Sequence, residues 1–174
     1  LMNVFLGVVF LGEALRKAQW LAVTFAAAGV LWLTISLNAF PWVSLTLAIS
    51  FALYGLIRKV APASPLQGLS VETSVLLIPA VAFVLLRGNA SENLTSDTAT
   101  VILILLSGAV TGIPLLLFAS SAKRIPLSIL GILQYITPTI QFLLGVFAYN
   151  ETFDSNRLIG YSIIWSGLVI FALD

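Results

Sequence analysis

The most informative stretch of the sequence is residues 127–151, LSILGILQYITPTIQFLLGVFAYNE. This stretch holds no charged residue before Glu151. As a helix, residues 127–149 would measure about 35 Å at ~1.5 Å per residue, more than the ~30 Å of a bilayer core. The stretch is therefore predicted to span a membrane.

Polar and small residues recur along this stretch at three- and four-residue steps, which places them on one face of a helix. The face consists of Gly131, Gln134, Pro138, Gln141, Gly145 and Tyr149. Because lipid satisfies no polar group, this face must meet protein or water. Two interpretations stay open: the face packs against a neighbouring helix, or it lines a substrate cavity.

The composition is that of an integral membrane protein. Hydrophobic residues make up 60% of the chain and charged residues 9%, against about 25% charged residues in soluble domains. There is no Cys and no His, and the net charge is only +1. Thiol chemistry, disulfides and the usual zinc sites are thereby excluded, and we expect no metal, no cofactor and no nucleic-acid partner.

An enzyme is not expected either. The chain lacks His and Cys, no Asp falls inside a predicted span, and no G-x-S-x-G motif is present. The expected partners are membrane lipid and a small-molecule substrate, and a homodimer is left open.

Seven apolar segments, named A to G, are predicted to form an all-α bundle of membrane helices. They cover residues 1–13, 19–37, 42–57, 69–86, 99–122, 127–149 and 157–173. Segment A is too short to cross a bilayer, so we expect the start of the chain to be truncated. The connections are short, which indicates one membrane domain.

The basic residues predict the orientation, because Lys and Arg in short loops favour the cytoplasm. Three alternating loops carry six of the eight basic residues, at Arg16 and Lys17, at Arg58 and Lys59, and at Lys123 and Arg124. The loops at Arg16, Arg58 and Lys123 are therefore predicted to be cytoplasmic, and the remaining loops to face outward.

The chain repeats itself at an offset of 138 residues. Leu6, Gly7, Val8, Glu13 and Gly29 fall on Leu144, Gly145, Val146, Glu151 and Gly167, and Asn3 falls on Gln141. One period advances the chain by five helices, an odd number, so the two copies must cross the membrane in opposite directions. An inverted repeat around a midplane site is a common plan of secondary transporters. Three further helices are expected before Leu1, which would make ten spans.

Several stretches resemble a known family. They are NVFLGVVFLGEALRKAQWLAV, SFALYGLIRK, GLSVETSVLLIP, TGIPLLLFASSAKRIPLSILGILQYITPTIQFLLGVF and RLIGYSIIW. They resemble the RarD branch of the EamA family, in the drug/metabolite transporter superfamily, and the run at residues 133–139 is the most specific part. The resemblance implies a ten-helix bacterial inner-membrane permease made of two inverted halves around a central cavity. It divides the chain into the end of a first EamA-like repeat (1–37) and a second repeat (41–174).

The residues of segment F are the first candidates for substrate contacts. Gln134, Tyr135 and Gln141 offer hydrogen-bond donors and acceptors without a buried charge. Pro138 removes a backbone N–H, so it is expected to kink the helix at mid-depth. Asn3, the repeat partner of Gln141, is a further candidate, and each of these residues has helix packing as its alternative role.

Other candidates lie outside segment F. Thr111 in segment E lies beside Gly108-x-x-x-Gly112, a spacing that favours close helix packing. Tyr54 is either a cavity wall or part of an interfacial belt, and Arg58 is expected to be a cytoplasmic anchor.

Three acids also need an interpretation. Glu72 is a candidate for proton coupling, with stabilisation of a helix start as the favoured alternative. Glu13 and Glu151 are expected to stabilise turns or helix starts.

We therefore expect a permease that exports or exchanges small organic molecules by alternating access. The competing hypothesis is a membrane scaffold or interaction protein whose polar faces serve only helix assembly.

Overall fold

A computed structural model describes residues 1–36, 40–86, 97–150 and 154–173. Within these ranges the secondary structure is helical, with no strand. The helices are α1 (Met2–Leu11), α2 (Lys17–Ser36), α3 (Trp42–Val60), α4 (Pro65–Leu86), α5 (Thr98–Arg124), α6 (Leu127–Leu133), α7 (Ile136–Phe147) and α8 (Ser155–Leu173). With α6 and α7 taken as one span, six helices in the described ranges are long and apolar enough to cross a membrane. The predicted all-α membrane bundle of seven segments is confirmed.

The start of α4 differs from the prediction by four residues. The helix begins at Pro65, not near residue 69, because Ser64 and Gln67 form a capping box. The Ser64 hydroxyl accepts the Gln67 backbone N–H at 3.3 Å, and the Gln67 side-chain oxygen accepts the Ser64 N–H at 2.9 Å. Proline suits the first helical position, where its missing N–H costs nothing.

Segment F is not one continuous helix. It is interrupted at Gln134 and Tyr135, whose backbone angles are close to those of a 3₁₀ turn. Pro138 explains the position of the break, because it has no N–H to offer the carbonyl of Gln134, four residues earlier. That carbonyl instead accepts the Thr137 N–H at 3.2 Å.

The chain divides into two compact units. The first comprises Leu1–Ile57 and Ile125–Asp174, and the second comprises Arg58–Arg124. In the first unit α1 packs on α6 and α2 packs on α8, and in the second α4 packs on α5.

The packing of α2 on α8 depends on two glycines. A Cβ added to Gly29 would lie 2.8 Å from the carbonyl oxygen of Gly160, and one added to Gly167 would lie 2.7 Å from that of Ala22. The offset of 138 residues converts one contact into the other, since Ala22 maps onto Gly160 and Gly29 onto Gly167. Reciprocal contacts of this kind are produced by two copies related by a two-fold axis, and they agree with the inverted repeat.

Substitution of these glycines should destabilise the protein. Gly29→Val and Gly167→Val should each lower the free energy of unfolding by roughly 1–3 kcal/mol, because the added methyl groups force two backbones apart. Thermal unfolding in detergent measures the effect.

The matched control for the glycine variants is Gly108→Val in α5, where no described atom lies within 4 Å of an added Cβ. It should leave stability nearly unchanged. Equal losses in all three variants would contradict the interpretation of the α2–α8 contact.

Candidate functional site

The interruption of segment F places polar groups in the middle of a membrane-spanning segment. Gln134, Tyr135 and Pro138 are all partly exposed, and Gln141 on α7 is exposed. Non-helical backbone at membrane depth is tolerated only where protein covers it or where it lines a water-filled cavity. The break is therefore the strongest candidate for a functional site in this unit.

Asn3 and Gln134 meet at this break. The Asn3 side-chain amide donates a hydrogen bond of 2.6 Å to the Gln134 side-chain oxygen. Asn3 is buried, with 4% of its surface exposed, and its Oδ1 atom has no hydrogen-bond partner among the described residues. Gly131 permits the close approach, since a Cβ there would lie 2.8 Å from the Asn3 Cβ. The structure thus brings together two candidates that lie 131 positions apart.

The other sequence candidates are dispersed. Tyr54, in α3, is partly exposed, and its ring centroid lies 6.1 Å from that of Phe51. Thr111, in α5, is exposed and belongs to the second unit. The close helix packing expected beside it is not found, because no described atom lies within 4 Å of a Cβ added to Gly108 or Gly112.

Sequence reasoning missed an aromatic cluster between α7 and α8. The Trp165 indole N–H donates a hydrogen bond of 3.0 Å to the Thr139 hydroxyl. The ring of Phe142 lies 4.5 Å from that of Tyr161 and 5.7 Å from that of Trp165, measured between centroids. The four-residue spacing of Tyr161 and Trp165 was the available signal.

Glu72, the candidate for proton coupling, lies in an ion pair. The guanidinium of Arg58 is 2.9 Å from its carboxylate. Glu72 cannot stabilise the first turn of α4, as the favoured alternative required, because the helix begins seven residues earlier, at Pro65. Arg58, which was expected to be a cytoplasmic anchor, is buried, with only 5% of its surface exposed. Gly68 leaves room for its guanidinium, which an added Cβ would overlap.

Glu13 has a more extensive role than stabilising its own turn. Gly12, with a φ of 65°, ends α1 and turns the chain so that the Glu13 N–H bonds back to the Gly7 carbonyl. The Glu13 carboxylate accepts hydrogen bonds from the Leu127 N–H at 2.6 Å, the Ser128 N–H at 2.8 Å and the Ser128 hydroxyl at 2.7 Å. It therefore joins the end of α1 to the start of α6. Its repeat partner, Glu151, lies outside the described residues.

A cavity of about 470 Å³ adjoins this connection. Its lining includes Glu13, Arg16, Gln19, Ser128 and Phe171. The cavity combines a carboxylate, a guanidinium and an amide with an aromatic ring, so it is amphipathic rather than apolar.

These observations define a polytopic helical membrane protein with a polar break inside one span. The family is shown by comparison with known proteins: residues 40–173 match the EamA-like transporter family. The chain belongs to that family. No solved structure matches it.

Relatives named RarD support the resemblance seen in the sequence. The chain is 43% identical to the Protein RarD of Streptomyces exfoliatus, and the alignment covers all of this chain and 56% of that protein. It is 44% identical to an uncharacterized transporter of Vibrio cholerae, over all of this chain and 58% of the relative. It is 39% identical to the Protein RarD of Escherichia coli K12, over all of this chain and 60% of the relative. The chain thus spans a little over half the length of these relatives.

The ion pair in the second unit can be tested by a double-mutant cycle. Glu72→Gln should destabilise the protein by roughly 1–3 kcal/mol, less than a fully buried pair would, because the Glu72 side chain is 39% exposed. The double variant Arg58→Met with Glu72→Met should recover most of the loss, since it leaves no uncompensated charge. Thermal unfolding measures both effects. A stable Glu72→Gln variant that has lost transport would instead favour a coupling role.

Proposed function

We propose that the protein is a bacterial inner-membrane permease that exports small organic molecules by alternating access. The family membership, the six apolar spans and the reciprocal contacts of α2 with α8 support this proposal. Transporters with inverted repeats bind their substrate near the bilayer midplane, at discontinuous helices. The break in segment F is such a discontinuity, and it is the observation that carries the proposal.

We propose that the polar residues at the break contribute to the substrate cavity. Gln134 and Tyr135 form the interruption, and Pro138 and Gln141 follow it on α7. An amide and a phenol recognise hydroxyl, carbonyl and amine groups without a charge of their own, which suits neutral organic substrates. Asn3, Tyr54 and Thr111 remain further candidates for the same role, and Glu72 remains a candidate for coupling.

The competing function, a scaffold whose polar faces serve only helix assembly, also has an observation in its favour. The hydrogen bond between Asn3 and Gln134 lies in a helix contact, as a packing role predicts. Gln141 makes no such bond to any residue that the structure describes, and it is exposed on α7. Gln141 is therefore the residue that best separates the two hypotheses.

Replacement of each glutamine should distinguish the two functions. Gln141→Leu should reduce efflux at least about tenfold, the loss of one hydrogen bond to substrate, while membrane abundance stays normal. Gln134→Leu should reduce both abundance and efflux, because it also breaks the bond to Asn3. Efflux of a panel of fluorescent organic compounds from loaded cells, with immunoblotting of membranes, measures both quantities. Normal efflux in both variants would refute the site.

The domain division is proposed on the same grounds. Residues 1–37 would be the end of a first repeat and residues 41–174 a second repeat, which the family match at 40–173 supports. The orientation follows from the basic loops, so the connections at Arg16, Arg58 and Lys123 would face the cytoplasm.

Cysteine labelling tests the orientation, because the natural chain contains no Cys. Ala14→Cys and Ser155→Cys place single thiols at exposed positions, the first just before the start of α2 and the second at the start of α8. In spheroplasts, an impermeant maleimide should label the Ser155→Cys variant, whereas the Ala14→Cys variant should react only after permeabilisation. Labelling of both from the same side would exclude inverted repeats.

A further inference from the structure

The contact between α1 and α6, here called the α1–α6 seam, joins the break in segment F to the cavity beside Glu13. As the chain advances along α1 from Asn3 to Gly7, its contacts move back along α6 from Gly131 to Ser128. The two helices are therefore antiparallel. One end of the seam is the Asn3–Gln134 bond, and the other is the Glu13 carboxylate.

Glu13 holds its end of the seam through three donors that converge on one carboxylate. Two of these donors are N–H groups at the start of α6, which no preceding helical turn can satisfy. An ionised carboxylate only accepts hydrogen bonds, so all three donors match it, and each bond is charge-assisted. A neutral amide of the same shape would present its own N–H groups to one or more of these donors.

The two helices of the seam lie very close together, but the seam leaves one buried polar atom without a hydrogen bond to the described residues. A Cβ added to Gly7 would lie 3.2 Å from the Ser128 nitrogen, so the two backbones nearly touch. At the other end, the buried Oδ1 of Asn3 has no partner among the described residues. An unpartnered buried acceptor costs free energy, and access of water to the seam would relieve that cost. The closed seam thus combines a penalty at Asn3 with a strong attachment at Glu13.

An opening of this seam would change the cavity beside Glu13. Glu13 and Ser128 form part of the cavity wall. Separation of the two residues would extend the cavity along the seam toward Gln134, at the break in segment F.

From these observations we infer that Glu13 is the latch of a movable seam, and that release of its carboxylate from α6 opens a path from the cavity to the polar break. The inference rests on the proposed transport function, for which the seam would be a gate. Glu13 acts through α6 and is a positioning residue.

Thiol accessibility at a buried position of the seam tests the latch. Val4, on α1, is 3% exposed and adjoins Gly131, so the thiol of a Val4→Cys variant should react slowly with a maleimide. Addition of Glu13→Gln should raise the reaction rate about tenfold or more, the effect expected when charge-assisted hydrogen bonds are lost. Ser128→Ala should raise it less, because the two backbone donors remain.

The matched control is Ile164→Cys, which reports on the other helix contact of the same unit. Ile164 is 5% exposed and packs against Gly29. Its labelling should not change when Glu13→Gln is added. An unchanged rate at Val4→Cys, or equal increases at both positions, would overturn the inference, since the second result would mean general unfolding.

The labelling experiment needs no substrate. A labelling result that contradicts the role of Glu13 would therefore not change the conclusion from the efflux of the Gln141 variant. Likewise, efflux results that contradict transport would not change the conclusion from labelling.

Discussion

The hydrocarbon interior of a bilayer offers no hydrogen-bond partner, and this constraint governs the structure. Each apolar segment satisfies its backbone internally as a helix, so polar side chains stand out where they occur. The groups that depart from the regular pattern find partners in other segments: Asn3 donates to Gln134, Trp165 donates to Thr139, and Glu13 accepts from the start of α6. The polar contacts of the first unit therefore also record which helices pack together.

One proline produces the most informative irregularity. Without an N–H at Pro138, the Gln134 carbonyl turns to Thr137, and the helix is interrupted four residues before the proline itself. The interruption lies at Gln134 and Tyr135, whose side-chain amide and phenol are partly exposed in the middle of a membrane-spanning segment. The same amide bonds to Asn3, so the proposed cavity role and a helix-packing contact coincide at Gln134.

Much of the fold was predictable from the sequence because its signals are periodic. The apolar segments predicted the helices that the structure contains, and the repeat at 138 residues agrees with the reciprocal contacts of α2 and α8. The start of α4 was missed although Ser64 and Gln67 carry the local signature of a capping box. The partners of Glu13 and Arg58 could not be predicted in the same way. A carboxylate has no sequence pattern that identifies donors 114 residues away, and Arg58 bonds across a turn to a residue two turns inside the next helix. Charge pairing of this kind depends on tertiary geometry, which the helical period alone does not supply.

The first unit is discontinuous along the chain, and this affects the order of its assembly. Helices α1 and α2 are synthesised before residues 58–124, while their partners α6 and α8 come after them. The Gly29 face of α2 must therefore remain unpaired in the membrane until α8 has been synthesised, and the loop closures involved span more than 100 residues. The second unit, with its helices adjacent in sequence, has no such delay. Insertion of α8 is then the step that commits the first unit to its native pairing.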